Sequence, residues 1–560
     1  MLLPDSQIQE LLRKSGLIDE KTMQDVIVSA ANARIPLQEA VIEKNVIPDE
    51  KLGQLIANYI KYPFVLLQQT TIPEDVFKIV PERIARKHKV IAFAKDAYGV
   101  KLAMADPIHL RMADAIAKKT NQKVTVFMAT ERNIENILQL YKKNLQASFD
   151  DLLQEEIIRT NTSMDDAPII KIVDLLLAYA YRERTSDIHI EPEEKNSLVR
   201  FRTDGILHDV LYVDKKLHDR IITRIKVLSR LRTDEHMSAQ DGKMRIVVDD
   251  DILDIRVSIV PVAEGEKAVL RLLASHFRQF SLHDLGLRDT DMVKVNNAIS
   301  KSYGMILSTG PTGSGKTTSI YAILKLLNTR EKNITTIEDP VEYRMKGVNQ
   351  IQVNEKANLT FANGLRSILR QDPNIIFVGE IRDSETAGIA VNAALTGHLV
   401  VSTVHTNDAA TTLPRLIDMK VEPFLVASTV NVIIAQRLIR RICEACKAPK
   451  MIKRWELIKD VSDETITKHF GPNTTIRVYE GRGCKICHAT GYSGRIGIFE
   501  VIEMTEKIRE LITQKSDSDE IAKQAILDGM TTMLDDGLEK VAHGQTSVRE
   551  VLRATKVEAM

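Results

Sequence analysis

A multidomain α/β fold is predicted for this chain of 560 residues by three observations. From about Asp284 onward, β-branched apolar runs (MILST, ITTIED, QIQV, NIIFVGE, HLVVSTV) are separated in several places by helix-compatible stretches. That is the pattern of a largely parallel sheet. Before it, one helical-period segment, PIIKIVDLLLAYAYRE, is followed by strand-like alternation in SDIHIEP, LVRFRTDGILHDV, KMRIVV, ILDIRVSIVP and AVLRLL. The length itself suggests roughly three to four domains.

Residues 1–60 read as short amphipathic helices with a weak internal repeat. LLRKSGLIDEK (Leu11–Lys21) aligns with VIEKNVIPDEK (Val41–Lys51), and each copy is a helix, a turn and an Asp-Glu helix start. Two copies are too few for a solenoid, which leaves a small helical subdomain. Residues 61–143 alternate VIAFAKD, GVKLAMADP, KVTVFMA and ERNIENILQLYKK, an α/β module that completes an N-terminal domain over 1–143. The polar, acidic stretch 144–165 reads as a linker. A second domain spans 166–283. The last, 284–560, holds a loop-rich stretch over 443–500 and C-terminal helices from 505 onward.

Charge excludes some functions. The 77 basic and 76 acidic residues nearly cancel, which argues against a globally basic nucleic-acid binder. No run of about 18 apolar residues is present to span a bilayer. The start MLLPDSQIQELL lacks a basic region followed by an apolar core, so the chain is expected in the cytoplasm.

Met305–Leu324 carries the chemistry. After the MILST strand, Gly310, Gly315, Lys316 and Thr317 fit G-x-x-x-x-G-K-[ST], and a helix-compatible stretch follows. Such a loop turns tightly enough to aim backbone N–H groups at phosphate oxygens, and the helix adds its positive end. Lys316 would reach the β- and γ-phosphates of ATP, and Thr317 would ligate Mg²⁺. The plain alternative is a structural glycine turn.

Other polar residues sit at strand ends. Glu380 closes NIIFVGE, at the carboxyl end where open α/β sheets bind ligands, and it could orient or deprotonate the attacking water. Glu338 and Asp339 sit at the tip of ITTIED, where water or metal is positioned, although Asp-Pro also makes an ordinary turn. His398 and His405 bracket LVVSTV and could sense the γ-phosphate, or be structural histidines. Arginines recur at Arg200, Arg202, Arg256 and Arg271. Arg366 and Arg370, four apart on a helical stretch, share a face. Phosphoryl transfer needs such charge, while solvated surface is its usual fate.

All four cysteines fall in two C-x-x-C pairs, Cys443/Cys446 and Cys484/Cys487. The pairing matches a tetrahedral zinc site, structural because four thiolates leave no position for water. A redox C-x-x-C would come singly.

GPTGSGKTT, TIEDPVEY, LRSILRQDPNIIFVGEIRDSETA, ALTGHLVVSTVHTNDA, the paired C-x-x-C and GYSGRIGIFE together resemble the secretion ATPases of type II secretion and type IV pilus assembly. SDIHIEP, RFRTDG and RVSIVP resemble that family's second N-terminal domain, and VPERIARKHKV with GVKLAMADP its first. The resemblance implies a PAS-like second domain, a RecA-like ATPase domain, and a cytoplasmic homohexamer at the inner face of the membrane. Such a ring drives an inner-membrane platform protein and works with other pilus or secretion proteins.

It also implies roles for particular residues. Gly310, Pro311, Thr312, Gly313, Ser314, Gly315, Lys316, Thr317 and Thr318 match the Walker A loop, and Glu380 the Walker B glutamate. Glu338, Asp339 and Glu342 match an Asp box, and His398 and His405 a His box. Arg256, Arg271, Arg366, Arg370 and Arg495 match arginines near the phosphates, which leaves Arg200 and Arg202 structural. The cysteines match a zinc-binding insert (443–487) that retraction motors lack, which favours an assembly motor; the type II secretion motor is the runner-up. Some members bind cyclic di-GMP through two Arg-Leu-Gly-x-x-Leu starts. Here QIQELL (Gln7–Leu12) lacks the arginine and glycine, and PLQEAVI (Pro36–Ile42) lacks the glycine, which argues against that ligand. Outside the family, a nucleic-acid translocase or a nucleotide-binding scaffold without turnover are the competing classes.

Overall fold

The computed structural model describes residues 3–138 except 34–35, 44–45, 68–69, 71 and 109; Asp150; residues 169–273 except 249–250; and residues 281–555 except 485–486 and 488. The expected linker 144–165 lies outside the described residues, save Asp150. The chain forms two compact bodies, residues 1–134 with 280–560, and residues 135–279.

In the first body, four N-terminal helices (Asp5–Ser15, Glu20–Ala33, Leu37–Glu43, Asp49–Ile60) follow the expected repeat. Their apolar stripes, including Ile8, Leu12, Val26, Val41 and Ile56, meet in one core. A small sheet follows: β1 (Val90–Asp96) antiparallel to β2 (Gly99–Met104), and β2 parallel to β3 (Val124–Met128).

The second body is a six-stranded antiparallel sheet. Its strands are β4 (Asp187–Pro192), β5 (Asn196–Thr203), β6 (Ile206–Asp214), β7 (Gln240–Val248), β8 (Asp251–Val262) and β9 (Gly265–Leu273), in the order β6-β5-β4-β9-β8-β7. Alternation decides the faces. Ile188, Ile190, Phe201, Val257 and Leu270 share one core with the helices Ile169–Arg182 and Lys215–Leu228. The alternate residues Asp187, Arg202, Arg256 and Arg271 point to the other face.

Residues 281–555 return to the first body. Their strands are β10 (Gly304–Thr309), β11 (Ile334–Glu338), β12 (Val348–Gln352), β13 (Ile375–Val378), β14 (Leu399–Val404), β15 (Val430–Ile442), β16 (Lys447–Lys453), β17 (Thr475–Gly481) and β18 (Tyr492–Glu503). Seven form one sheet, β12-β11-β13-β14-β10-β15-β18, parallel except for β18 at the edge. Every residue of β10, β13 and β14 is buried. The sheet is covered on both faces, which explains the unbroken apolar runs. Met305, Leu307, Ile376 and Val400 join the core on one face, and Ile306, Phe377 and Val401 the core on the other.

Two expectations change. The stretch 443–500 is not merely loop. β16 and β17 form an antiparallel hairpin carrying the helices Arg454–Ile458 and Asp463–Phe470, and β18 rejoins the main sheet beside β15. Arg370 does not share a helix with Arg366, because that helix, Phe361–Ile368, ends first. No helix among the described residues is long and apolar enough to cross a membrane.

Candidate active site

The loop 310–315 joins the carboxyl end of β10 to the helix Lys316–Leu327. Gly310, Gly313 and Gly315 have φ of 142°, 78° and 90°, the region that disfavours side chains. A Cβ at Gly310 would lie 2.4 Å from the Gln436 carbonyl oxygen. Gln436, on β15, braces the loop by donating from Nε2 to the Ser314 carbonyl at 2.7 Å. Lys316 is buried, and its Nζ donates to the Gly310 and Pro311 carbonyls at 2.7 and 3.2 Å. Burial pushes its pKa down, and the Glu380 carboxylate pulls it back up. A buried ammonium held, among the described residues, by the carbonyls of its own loop fits a polyphosphate ligand. Thr317 is the second residue of the helix, and Thr318 follows it.

Glu380 lies just past β13. Gly379 permits this path, since a Cβ there would press to 3.2 Å from both Glu338 Cα and the Ile337 carbonyl oxygen. Hydroxyls fasten the turn to β14: Ser402 donates to the Val378 carbonyl and Thr403 to the Gly379 carbonyl, both at 2.7 Å. Arg382 Nε donates to Glu380 Oε2 at 2.6 Å, and His405 Nε2 sits 3.0 Å from the same oxygen. Thr309, the last residue of β10, links through its hydroxyl to Thr406 at 2.6 Å. Phosphate loop, carboxylate and His405 are thus gathered at one end of neighbouring strands. A carboxylate so held can orient or deprotonate water.

The other candidates are placed differently. Glu338 is buried, with Tyr321, Thr336 and Gln350 donating to its carboxylate. Burial pushes its pKa up and those donors oppose the shift. Asp339 is exposed just past β11, and Glu342 is half-buried in the next turn. His398 precedes β14 and donates from Nδ1 to the Ala393 carbonyl at 3.0 Å. It is separated from His405 by the length of a six-residue strand, roughly 20 Å. Within one chain, His398 therefore does not join His405 and Glu380. Arg366 pairs with Glu385 at 2.6 Å, and Arg370 bonds Ser367 at 3.3 Å. Arg495 stands opposite Arg440 in the β15–β18 register. In the other body, Arg256 and Arg271 are register partners, and Arg271 Nε donates to Asp187 at 2.8 Å. Sequence reasoning missed Arg382, Thr406, Tyr321 and Gln436. Arg382 was recoverable, two residues from Glu380; Gln436 was not, because its partner is a distant backbone carbonyl.

The four cysteine sulfurs lie within 4.8 Å of one another, with Cys443–Cys484 and Cys446–Cys487 at 3.8 Å and Cys484–Cys487 at 3.7 Å. Zinc–sulfur bonds of about 2.3 Å in a tetrahedron put sulfurs about 3.8 Å apart. Burial pushes the Cys443 thiol up and the Cys446 thiol to about 11. Burial would raise Cys487 too, but N–H donors from Cys484 and Gly491, each 3.2 Å from its sulfur, bring it down. Such donors suit a thiolate, so the set fits a structural zinc.

Comparison with known proteins identifies the family. The family model described as "Type II/IV secretion system protein" matches residues 162–553, and the "MshEN domain" model matches residues 60–147. The type IV pilus assembly ATPase PilB of Myxococcus xanthus is 36% identical over 98% of this chain and 99% of its own length. Type II secretion system protein E of Pseudomonas aeruginosa is 45% identical over 73% of this chain and 78% of its own. The ATPase DotB of Yersinia pseudotuberculosis shares the fold, with a TM-score of 0.50 and 19% identity over 69% of this chain and 93% of that one. The chain is therefore an ATPase and belongs to the type II/IV secretion system protein family.

Proposed function

We propose that this ATPase is the motor of type IV pilus assembly, a cytoplasmic homohexamer that works at the inner face of the membrane on a platform protein. The observation that carries the pilus reading is the end-to-end match to a pilus assembly ATPase, N-terminal module included. The higher identity of the type II secretion relative over the shared core favours the second reading, a secretion motor. A strain lacking the chain loses surface pili and keeps exoprotein secretion under the first reading; the reverse outcome supports the second.

In the proposed cycle the amides of 310–315 and Lys316 bind the phosphates of ATP, and Thr317 holds Mg²⁺. Held there, Mg²⁺ would supply positive charge against the phosphates. Glu380 takes the proton of the attacking water, with His405 and Arg382 fixing its carboxylate. Glu338, Asp339 and Glu342 shape the acidic tip of β11. Arg256, Arg271, Arg366, Arg370 and Arg495 act at the phosphates of the same or a neighbouring subunit, and His398, a strand length from Glu380, reaches them only from a neighbouring subunit. Cys443, Cys446, Cys484 and Cys487 hold zinc. Neutral overall charge argues against nucleic acid as the load. The departures at Gln7–Leu12 and Pro36–Ile42 argue against cyclic di-GMP as a regulator.

A further inference from the structure

The end of the parallel sheet opposite the phosphate loop carries a second polar site. An open cavity of about 700 Å³ is lined by the loop Ser300–Tyr303 entering β10, the helix Pro423–Thr429 and the helix Glu506–Thr513. Two cations face it. Lys301 Nζ donates to Asn431 Oδ1 at 3.2 Å, and Asn431 Nδ2 donates to the Tyr303 carbonyl at 2.9 Å, so one amide holds both loop and lysine. Arg509 donates to the Ala427 carbonyl. Among the described residues, neither cation has a carboxylate partner. Burial pushes the Arg509 guanidinium pKa down, and no neighbouring charge opposes it.

The rim is aromatic. Tyr303 and Phe424 are 57% and 59% exposed. A half-buried guanidinium without a counter-charge is poorly solvated, and a carboxylate from outside would repay that cost. Exposed aromatic rings beside an arginine are the usual anchors of a protein contact.

We propose that this cavity is a docking pocket for an acidic segment of a protein partner, its carboxylate on Arg509 and Lys301 and a flanking aromatic side chain against Phe424 and Tyr303. The aromatic rim favours a peptide over a bare phosphate. β10 runs from this pocket to the phosphate loop, roughly 20 Å away, so docking and nucleotide binding act on the two ends of one buried strand. The inference uses none of the nucleotide-site residues and does not depend on which machine the motor serves.

The test is fluorescence anisotropy of the full chain with a fluorescein-labelled, capped Phe-Glu-Phe peptide. Saturable binding is expected. It should weaken by about tenfold or more in Arg509→Gln, the effect of losing one charge-assisted hydrogen bond. It should weaken similarly when the peptide carries Gln in place of Glu, while ATP hydrolysis stays intact. Lys301→Gln, on an exposed loop, serves as the second variant should Arg509→Gln fail to fold. Absent binding, equal binding of the Gln peptide, or binding unchanged in both variants overturns the proposal. Inorganic phosphate that binds where the peptide does not makes the pocket a simple anion site, and also overturns it.

Discussion

The phosphate loop and the cysteine cluster lie along the same strand, yet they are stabilised in opposite ways. The loop rests on apolar cores on both faces of the main sheet, and Lys316 is held by the loop's own carbonyls. The hairpin and short helices of the cysteine region add Leu457, Val461, Ile466, Ile476 and Val478 to one of those cores, while its four thiols converge on one another. β15 joins them: Gln436 braces the loop from its middle, and Cys443 follows its end. A loop on a packed core can leave polar groups waiting, whereas the cysteine knuckles, mostly exposed or half-buried, need a staple.

Metal removal should separate the two most strongly. One zinc per chain is expected, and structural zinc in small domains contributes about 10–16 kcal/mol to folding. Cys446→Ser with chelator should therefore expose the knuckles around Cys443/Cys446 and Cys484/Cys487 in hydrogen exchange while β10 and β14 stay protected. Simultaneous loss of both regions breaks the comparison.

The next effect probes the junction. Buried Glu550 accepts from the Arg440 backbone N–H at 3.1 Å and from the guanidinium at 2.6 Å, while Arg440 stacks on Tyr492 at 4.2 Å. Burial alone would raise the Glu550 pKa, but Arg440 and Arg553 hold it at about 2, below its usual 4.5. A depressed carboxyl contributes stability above pH 4.5 that is lost as pH falls toward 2. Its worth is about 3 kcal/mol. Glu550→Gln should flatten acid unfolding monitored by circular dichroism between those values; an unchanged acid limb removes Glu550 from this role.

Lys316→Ala deletes the ammonium proposed to bind the phosphates. Loss of charged hydrogen bonds worth about 1.5–3 kcal/mol should weaken ATP binding roughly 10- to 100-fold by calorimetry, with the melting temperature nearly kept. The smallest effect sharpens the site itself. His405→Ala should slow turnover about tenfold through the freed Glu380 carboxylate, and His398→Ala less, being a strand length away. Equal losses would mean that a neighbouring subunit brings His398 into the site.

Much of this was readable from the chain. The phosphate loop, Glu380 and the cysteine pairs are short patterns whose spacing is their chemistry, and the helical repeat at Asp19 and Asp49 starts helices as expected. β15 was missed because VNVIIAQRLIRRI, an apolar stretch broken by Gln436 and three arginines, lacks strict alternation and suits a helix as well as a buried strand. His398 and His405 read alike because adjacency to a strand does not say which pole a residue occupies. Glu338 reads as an open acid, yet Tyr321 and Gln350, distant in sequence, enclose it. Lys301, Asn431 and Arg509 form no motif at all; only the fold brings them to one cavity.

Glu380→Gln tests the central claim most directly, with ATP affinity and hydrolysis measured on the same preparation in magnesium. The account predicts affinity within a fewfold of the unaltered protein and turnover lower by about 10²–10⁴. Unchanged turnover, or no affinity for ATP in either protein, would contradict it.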